Sequence, residues 1–285
     1  MALIDLGKAV HRRVTEMSCP QRVVFHHVPK CGGTSVGRAL RRAYILSQGT
    51  VTPEQSLAAF NAVVGKREHG AAIGDPLELR EMMLLYLLYS DTRCVSAHVP
   101  FSIIAHEKFQ DRYRFVTLLR DPVDRFVSHY MWSHKRPSAH GYIPEEFEDF
   151  LESDRATAIG QSYVRYFCGQ PGLVKGSLSK SVDAAIKNLH RLDLVGFLDD
   201  MTAFRNALSK LTRRNLRIGR ENVGKSNSLR ERLSEGRLRQ KVLAACESDR
   251  EIWAAVQDLR STYTHKKATQ SVTMPQVSDG AQSDA

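Results

Sequence analysis

Short apolar runs alternate along the chain with longer stretches of helical spacing. Residues 22–27, 94–99 and 113–119 are rich in β-branched and aromatic side chains, which is typical of strands. Apolar positions recur at helical spacing over 36–46, after the first run, and over 122–134, after the third. Strands that alternate with helices predict an α/β domain with a central, mostly parallel sheet flanked by helices.

The rest of the chain extends this pattern. A largely apolar helix is predicted over 76–89, a strand over 192–198 and a helix over 199–211. Helical periodicity returns over 229–259, and residues 1–21 form a weakly amphipathic leading segment. These positions predict one domain built around one sheet.

The predicted domain spans 22–263, because residues 264–285 contain no aromatic residue and are rich in Ser, Thr, Gln, Asp and Gly. That composition predicts a disordered tail. The longest apolar run, 82–89, is far shorter than a membrane span. No signal peptide is recognised either, so we expect a cytoplasmic protein.

Composition excludes a fibrous or wholly disordered chain, since 42% of the 285 residues are hydrophobic and 25% are charged. The five cysteines are scattered without zinc-ligand or disulfide-framework spacing, which favours a reducing compartment and predicts no metal site. Basic residues number 41 against 31 acidic, for a net charge of +10. Nearly all of this excess lies within 205–241, where twelve basic residues stand against three acidic ones. Such a region attracts polyanions or forms a solvated helical surface.

The segment between the first strand and its helix has the chemistry of an anion site. Lys30 is followed by the pair Gly32 and Gly33 and by the hydroxyl residues Thr34 and Ser35. Paired glycines let the backbone approach a ligand, and the first N–H groups of a helix face an anion. Lysine precedes the glycines here, unlike the order in the nucleoside triphosphate P-loop. The segment therefore fits a phosphate or sulfate group.

A second candidate follows the strand at 113–119. Arg120 stands at its carboxyl end, Asp121 and Pro122 are a helix start, and Ser128 lies two turns into the helix. Open α/β sheets bind ligands at this edge, and a guanidinium with a nearby hydroxyl suits a phosphate. A structural pairing of Arg120 with Asp121 or Asp124 is the alternative.

Together the two segments carry a family resemblance. FHHVPKCGGTS (25–35) and FVTLLRDPVDRFVSHY (115–130) resemble the cofactor signatures of sulfotransferases, most of all the carbohydrate branch that includes heparan sulfate 2-O-sulfotransferases and bacterial relatives. The likeness extends weakly to 194–196 and 224–226. It implies a P-loop-like sulfotransferase fold and the donor 3′-phosphoadenosine 5′-phosphosulfate, with adenosine 3′,5′-bisphosphate as product.

The resemblance also implies roles for individual residues. The residues implied for the 5′-phosphosulfate are Lys30, Gly32, Gly33, Thr34 and Ser35. Arg120 and Ser128 are implied for the 3′-phosphate, with Lys225 and Ser226 closing over that side. Cys31 stands where many members have Thr, and a thiolate favoured by this positive environment would make the enzyme sensitive to oxidation.

The acceptor proton needs a base, and histidine suits this step because its pKa lies near neutrality. His98 is the first choice, since it follows a short strand and resembles a family segment with a catalytic histidine. The family's partner histidine is replaced by Ser96. His26 and His27 rank second, because alternating side chains allow at most one of them to face the site. Lys30 is expected to stabilise charge on the leaving phosphate.

A second phosphate-loop pattern competes with this interpretation. Residues 219–226 match GxxxxGK[ST], which alone indicates ATP or GTP. The preceding residues 212–217 are too polar for the buried strand that feeds such a loop. This context counts against an NTPase or kinase, which stays as one alternative function. A non-catalytic polyanion-binding protein that uses 205–241 is another.

The resemblance implies a sulfotransferase, and the expected acceptor is a hydroxyl of a carbohydrate or glycolipid. The identity of the acceptor is not readable, and a small molecule is the alternative. No specific nucleic acid partner is expected, and the oligomeric state is not readable. The stretch that contains Gln161, Tyr163 and Arg165 is a candidate lining of the acceptor cleft.

Overall fold

The computed structural model describes residues 13–64, 76–137, 141–169, 177–219 and 236–260, together with positions 7, 10, 229 and 233. Within these ranges a five-stranded sheet runs in the order β2-β3-β1-β4-β5, and every neighbouring pair is parallel. The strands are β1 Arg22–His26, β2 Gln48–Val51, β3 Cys94–Ala97, β4 Tyr113–Leu119 and β5 Leu194–Phe197.

Helices cover both faces of this sheet. In chain order they are α1 Gly33–Ala43, α2 Pro53–Val64, α3 Pro76–Tyr89, α4 Ile103–Phe109, α5 Pro122–His134, α6 Phe147–Leu151, α7 Asp154–Gly160, α8 Ser162–Phe167, α9 Leu178–Arg191, α10 Met201–Thr212, α11 Arg237–Ala245 and α12 Glu247–Ala255. Short 3₁₀ turns lie at Leu198–Asp200 and Gln257–Arg260. The predicted α/β architecture is confirmed.

Strand β2 and helix α2 are absent from the sequence-based prediction. The sequence of β2 is QGTV, and only Val51 in it is buried. The strand lies at the sheet edge and pairs along its length with β3, from Gln48 opposite Cys94 to Val51 opposite Ala97. Its partner supplies the backbone hydrogen bonds that make it a strand, and this is information that an apolar pattern does not carry.

Alternation along the central strand divides the core into two layers. Val24 of β1 belongs to a cluster on one face of the sheet, whereas Val23 and Phe25 belong to a cluster on the other face. A third cluster joins α5, α6, α7 and α11 around Phe126 and Phe150. Strands buried on both faces are typical of parallel sheets, and they hold the strand ends rigidly in register.

Helix α5 begins where the sequence predicts. Pro122 occupies the first turn, and the Asp121 side chain accepts a hydrogen bond from the backbone N–H of Asp124 at 2.9 Å. This N-cap ends β4 abruptly and places Arg120 between the strand and the helix. The same helix carries Ser128 two turns further on.

The strand order places a crevice next to β1. The chain leaves β1 toward β3 and β2 on one side, and it leaves β4 toward β5 on the other. The loops at the carboxyl ends of β1 and β4 therefore diverge, and this is the position at which open α/β sheets bind ligands. The described part of the chain contains no helix long and apolar enough to cross a membrane.

The two chain ends fall partly outside the described residues. Residues 13–18 are helical, and Cys19 is buried in the cluster that also contains Val23 and Phe25. The predicted tail at 264–285 lies outside the described part of the chain, as does most of the region before residue 13.

Candidate functional site

A cleft of about 1530 Å³ opens at the carboxyl edge of the sheet. It brings together the candidate residues of both predicted anion segments and the first-choice histidine. These residues are Lys30, Gly32, Gly33, Thr34, Ser35, His98, Arg120 and Ser128. The strands that precede them, β1, β3 and β4, are neighbours in the sheet, so segments far apart in the chain converge at this edge.

The turn after β1 requires an unusual backbone. Lys30 has φ of 67° and Gly32 has φ of 79°, so two residues of one short turn adopt the left-handed conformation. Helix α1 starts at Gly33, where an added Cβ would lie 2.1 Å from Cδ2 of His27. No side chain fits in that space, so only glycine lets the helix start this close to the His27 ring. The first N–H groups of α1 thereby lie within the cleft wall.

Lys30 is a cation in a crowded, partly buried position. Its Nζ lies 4.9 Å from the centre of the Trp132 ring, and the Arg136 guanidinium lies 4.8 Å from the same ring. Burial, together with the positive charges of Arg136 and Arg120, lowers the pKa of Lys30 to about 8. Three cationic side chains, Lys30, Arg120 and Arg136, therefore lie close enough to influence one another, and a bound anion would stabilise this arrangement.

Arg120 joins the two anion segments. Its Nη1 donates a hydrogen bond to the backbone oxygen of Lys30 at 3.3 Å. Its Nη2 lies 3.8 Å from a carboxylate oxygen of Asp124, whose side chain is half exposed. The structural pairing considered from the sequence therefore exists, but it is long and solvent-facing and leaves the guanidinium at the cleft.

His27 and His98 lie side by side in the cleft, which the turn after β1 also lines. The His27 and His98 rings stand 3.9 Å apart between centres and are tilted by 31°. Burial, with further contributions from His98, Arg41 and Lys30, holds the pKa of His27 well below its ordinary value. His27 is therefore neutral near pH 7 and keeps a lone pair available.

Of the other histidines, His129 also lines the cleft, whereas His26 and His134 do not. His26 is buried on the opposite face of the sheet, where its Nδ1 lies 3.1 Å from the Val99 carbonyl oxygen. Burial lowers the pKa of His26 to about 4. The expectation that at most one of His26 and His27 faces the site is confirmed, and that residue is His27. His134 lies 3.0 Å from the carbonyl oxygen of Ile143.

Two expectations from the sequence are wrong. Cys31 is 1% exposed, and burial raises the pKa of its thiol to about 11 despite the nearby arginines. Desolvation disfavours the thiolate more than those charges favour it, so the thiol keeps its proton near neutral pH. Tyr163 is fully buried and does not line the cleft. Its hydroxyl contacts the backbone of Arg120 instead.

The competing pattern at 219–226 is described only at Gly219, which lines the cleft. Lys225 and Ser226 lie outside the described residues. Between the end of α10 and residue 219 the described backbone contains no strand. A triphosphate P-loop is fed by a strand, so this finding counts against an NTPase.

The basic region at 205–241 is described in part. Arg205 lines the cleft, Arg214 donates to the Ala43 carbonyl oxygen at 2.9 Å, and Lys241 pairs with Glu152. These side chains serve different local contacts.

The sequence analysis did not identify several residues that line the cleft. Trp132 lies one turn beyond Ser128 on α5, so these two side chains share a helical face, and Arg136 follows just after the end of that helix. That spacing is a signal from which they could be found. Glu54 and Asp199 also line the cleft, but they follow strands β2 and β5, and only the sheet order places them there. The described ranges contain no group of three or more His, Cys, Asp or Glu side chains placed to hold a metal ion.

Comparison with known proteins supplies the family. A search of curated proteins finds no match. The sequence model of a family described as "Sulfotransferase family" matches residues 16–253. The match spans most of the chain and contains every strand of the sheet and both anion segments. The protein is therefore a member of the sulfotransferase family, and sulfuryl transfer is its class of reaction.

Proposed function

We propose that this protein transfers a sulfuryl group from 3′-phosphoadenosine 5′-phosphosulfate to a hydroxyl of a carbohydrate or glycolipid. The observation that supports it best is the convergence of Lys30, Arg120 and His98 on one cleft. Two anion-binding segments suit a donor that carries phosphate at both its 5′ and 3′ positions. A histidine beside them suits the removal of a proton from an alcohol.

The cleft residues fit the chemistry of this donor. The glycine turn leaves a cradle that a Cβ would fill at Gly33, next to free N–H groups at the start of α1. In the proposal, Lys30 and residues 32–35 hold the 5′-phosphosulfate, while Arg120 and Ser128 hold the 3′-phosphate. Lys225 and Ser226 close over the 3′ side, which remains a proposal drawn from the family resemblance.

The acceptor has its place at the other end of the cleft. Strand β3 lies on the side of β1 opposite to β4, so His98 and Arg120 flank the phosphate turn from two directions. The 3′-phosphate occupies the β4 side in this arrangement. The hydroxyl acceptor then enters from the β3 and β2 side, beside His98 and Glu54.

The bound donor supplies a sulfuryl group whose leaving group is a phosphate. His98 removes the proton of the acceptor hydroxyl as the acceptor oxygen forms its bond to sulfur and the bond between sulfur and the bridging oxygen breaks. Lys30 and the N–H groups of α1 stabilise the negative charge that collects on that oxygen. His27, neutral and in contact with the His98 ring, orients that ring.

The test is calorimetric titration of the whole protein with adenosine 3′,5′-bisphosphate and, in parallel, with ATP. The wild type is compared with Lys30→Ala, Lys225→Ala and a control, Lys210→Ala, in which an exposed lysine outside the cleft is removed. We expect bisphosphate binding that collapses in Lys30→Ala and is unchanged in Lys210→Ala.

Other outcomes decide against the proposal. Binding of ATP alone, lost in Lys225→Ala and kept in Lys30→Ala, supports an NTPase that uses 219–226. No binding of either nucleotide, with steeply salt-dependent binding to an acidic glycan, supports the polyanion-binding alternative.

A further inference from the structure

The fully buried Tyr163 has its hydroxyl group between the two anion-binding segments. Its oxygen accepts a hydrogen bond from the backbone N–H of Arg120 at 2.8 Å, and its O–H donates to the backbone oxygen of the same residue. The Cys31 Sγ lies 3.6 Å from the Tyr163 phenol oxygen. One phenol therefore touches the end of β4 and the turn that follows β1.

Hydrogen-bond accounting settles the direction of these contacts. The phenol has one proton, and it goes to the Arg120 carbonyl, so the Cys31 thiol is the donor to the Tyr163 oxygen. Burial raises the pKa of the Tyr163 phenol well above its usual value and that of the Cys31 thiol to about 11. Both groups thus keep their protons near neutral pH, and the three contacts persist together.

The backbone of Tyr163 is anchored from a distant part of the chain. The carboxylate of Asp249, on α12, accepts hydrogen bonds from the N–H of Tyr163 at 2.9 and 3.0 Å and from that of Val164 at 3.3 Å. It serves as the N-terminal cap of α8, whose own N-cap residue Gln161 makes no side-chain cap bond. Arg125, buried with Asp249, lies 3.5 Å from the carboxylate.

The ring of Tyr163 is held as firmly as its backbone. The Arg125 guanidinium lies 5.5 Å from the ring centre, and Arg125 also donates to the Ile159 carbonyl oxygen. Arg125 belongs to α5, the helix that carries Ser128. The phenol is thus fixed relative to α5 and α12 before any ligand binds, and its hydroxyl can transmit that position to Arg120.

We propose that Tyr163 is a positioning residue whose hydroxyl fixes the separation between the phosphate turn at Lys30–Ser35 and Arg120. This inference rests on the proposed function, since it assumes one ligand that spans both segments. Tyr163 is not among the residues that line the cleft. It acts by keeping the phosphate turn and Arg120 at a fixed distance, which reduces the entropy lost when a bisphosphate binds to both.

The test compares two nucleotides on the same protein. Adenosine 3′,5′-bisphosphate engages both segments, whereas adenosine 5′-monophosphate engages only the phosphate turn. The dissociation constant of the monophosphate divided by that of the bisphosphate measures how well the two segments cooperate. Tyr163→Phe removes only the hydroxyl, and we expect it to lower this ratio at least about five-fold, the effect of leaving buried backbone groups without their partner.

A matched control lies on the same helix. Tyr166→Phe makes the same chemical change at a ring that packs against the same core cluster, and we expect its ratio to equal that of the wild type. A purely structural role for Tyr163 predicts equal weakening of both nucleotides and an unchanged ratio. That result would overturn the proposal, even if Tyr163→Phe also lowered the melting temperature.

Residue-resolved hydrogen exchange tests the same contacts without nucleotide. The Arg120 amide follows the last residue of β4, and in the wild type we expect it to exchange as slowly as the amides inside that strand. Fast exchange of this amide in the wild type refutes the proposal, whether or not Tyr163→Phe folds. If the wild type binds neither nucleotide, the proposed function fails, and slow exchange at Arg120 still establishes the contact.

Discussion

Lys30 is expected to lose its proton within the pH range of ordinary assays, and this makes nucleotide affinity depend on pH. Its pKa in the free protein is lowered to about 8 by burial and by the charges of Arg136 and Arg120. A bound phosphate reverses this balance, because its negative charges favour the ammonium form. Bisphosphate therefore binds the protonated protein more tightly, and affinity falls as pH rises through 8.

The size of the effect follows from the protonated fraction of Lys30. With a pKa of about 8, about nine-tenths of the lysine is protonated at pH 7 and about one-tenth at pH 9. The dissociation constant should therefore rise about ten-fold between these values, equivalent to about 1.4 kcal/mol. Nucleotide phosphates have their second pKa near 6, so the ligand itself contributes little in this window.

The assay is calorimetric titration with adenosine 3′,5′-bisphosphate at several pH values between 7 and 9.5, at constant ionic strength. Lys30→Arg is the control, since a guanidinium keeps its charge throughout this range. Its profile should be flat even if its affinity is lower. The neighbouring Cys31 thiol has a pKa of about 11, and the low pKa of His27 keeps it neutral, so neither titrates in the window.

Two results would refute this reasoning. A flat wild-type profile means that Lys30 is protonated throughout or does not contact the nucleotide. An equal slope in Lys30→Arg means that another group titrates. Proton uptake on binding, measured in buffers of different ionisation enthalpy, should reach its maximum above pH 8 in the wild type and vanish in Lys30→Arg.

Three further predictions concern the same cleft. Lys30→Met should raise the melting temperature of the free protein at pH 7 by about 2 °C, because it removes a partly buried charge beside two arginines. The same change should abolish bisphosphate binding. A lower melting temperature contradicts this prediction. Gly33→Ala should weaken bisphosphate binding about ten-fold or more, because the new Cβ meets the His27 ring at 2.1 Å. Adding His27→Ala should restore much of the lost affinity in the same titration. No recovery means that the collision is not the cause. His98→Ala should cut sulfuryl transfer from a radiolabelled donor into a polysaccharide or glycolipid extract about 10²-fold or more. Its bisphosphate affinity should stay within about two-fold of wild type. Equal losses in both measurements indicate a structural role.

The strongest sequence predictions rest on local signals. Helix α5 begins at Pro122 as predicted, because an Asp cap and a proline at the first position act within a few residues. Strand β4 has its predicted bounds because a buried parallel strand needs a continuous apolar run. The glycine turn at residues 30–33 is readable for the same reason, since left-handed backbone favours glycine.

The sequence did not show which individual side chains are buried. Cys31 follows Lys30 in the chain and lies near Arg120 and Arg125, and yet burial raises the pKa of its thiol. The core cluster that buries it includes Tyr163, which is more than a hundred residues away in the chain. The sequence pattern around Tyr163 indicates a helix face but does not say which neighbours cover it. The phenol that looked like part of an acceptor site therefore lies in the core beneath Arg120.

The sequence alone determined that this chain is an α/β protein, and it predicted two anion-binding segments, because strand pattern, capping and glycine geometry act over a few residues. Only the tertiary structure decided which side chains meet. The strand order places β1 between β3 and β4, and this brings His27 against His98 and Lys30 beside Arg120. Such contacts depend on packing between segments tens of residues apart, and no local pattern encodes that packing.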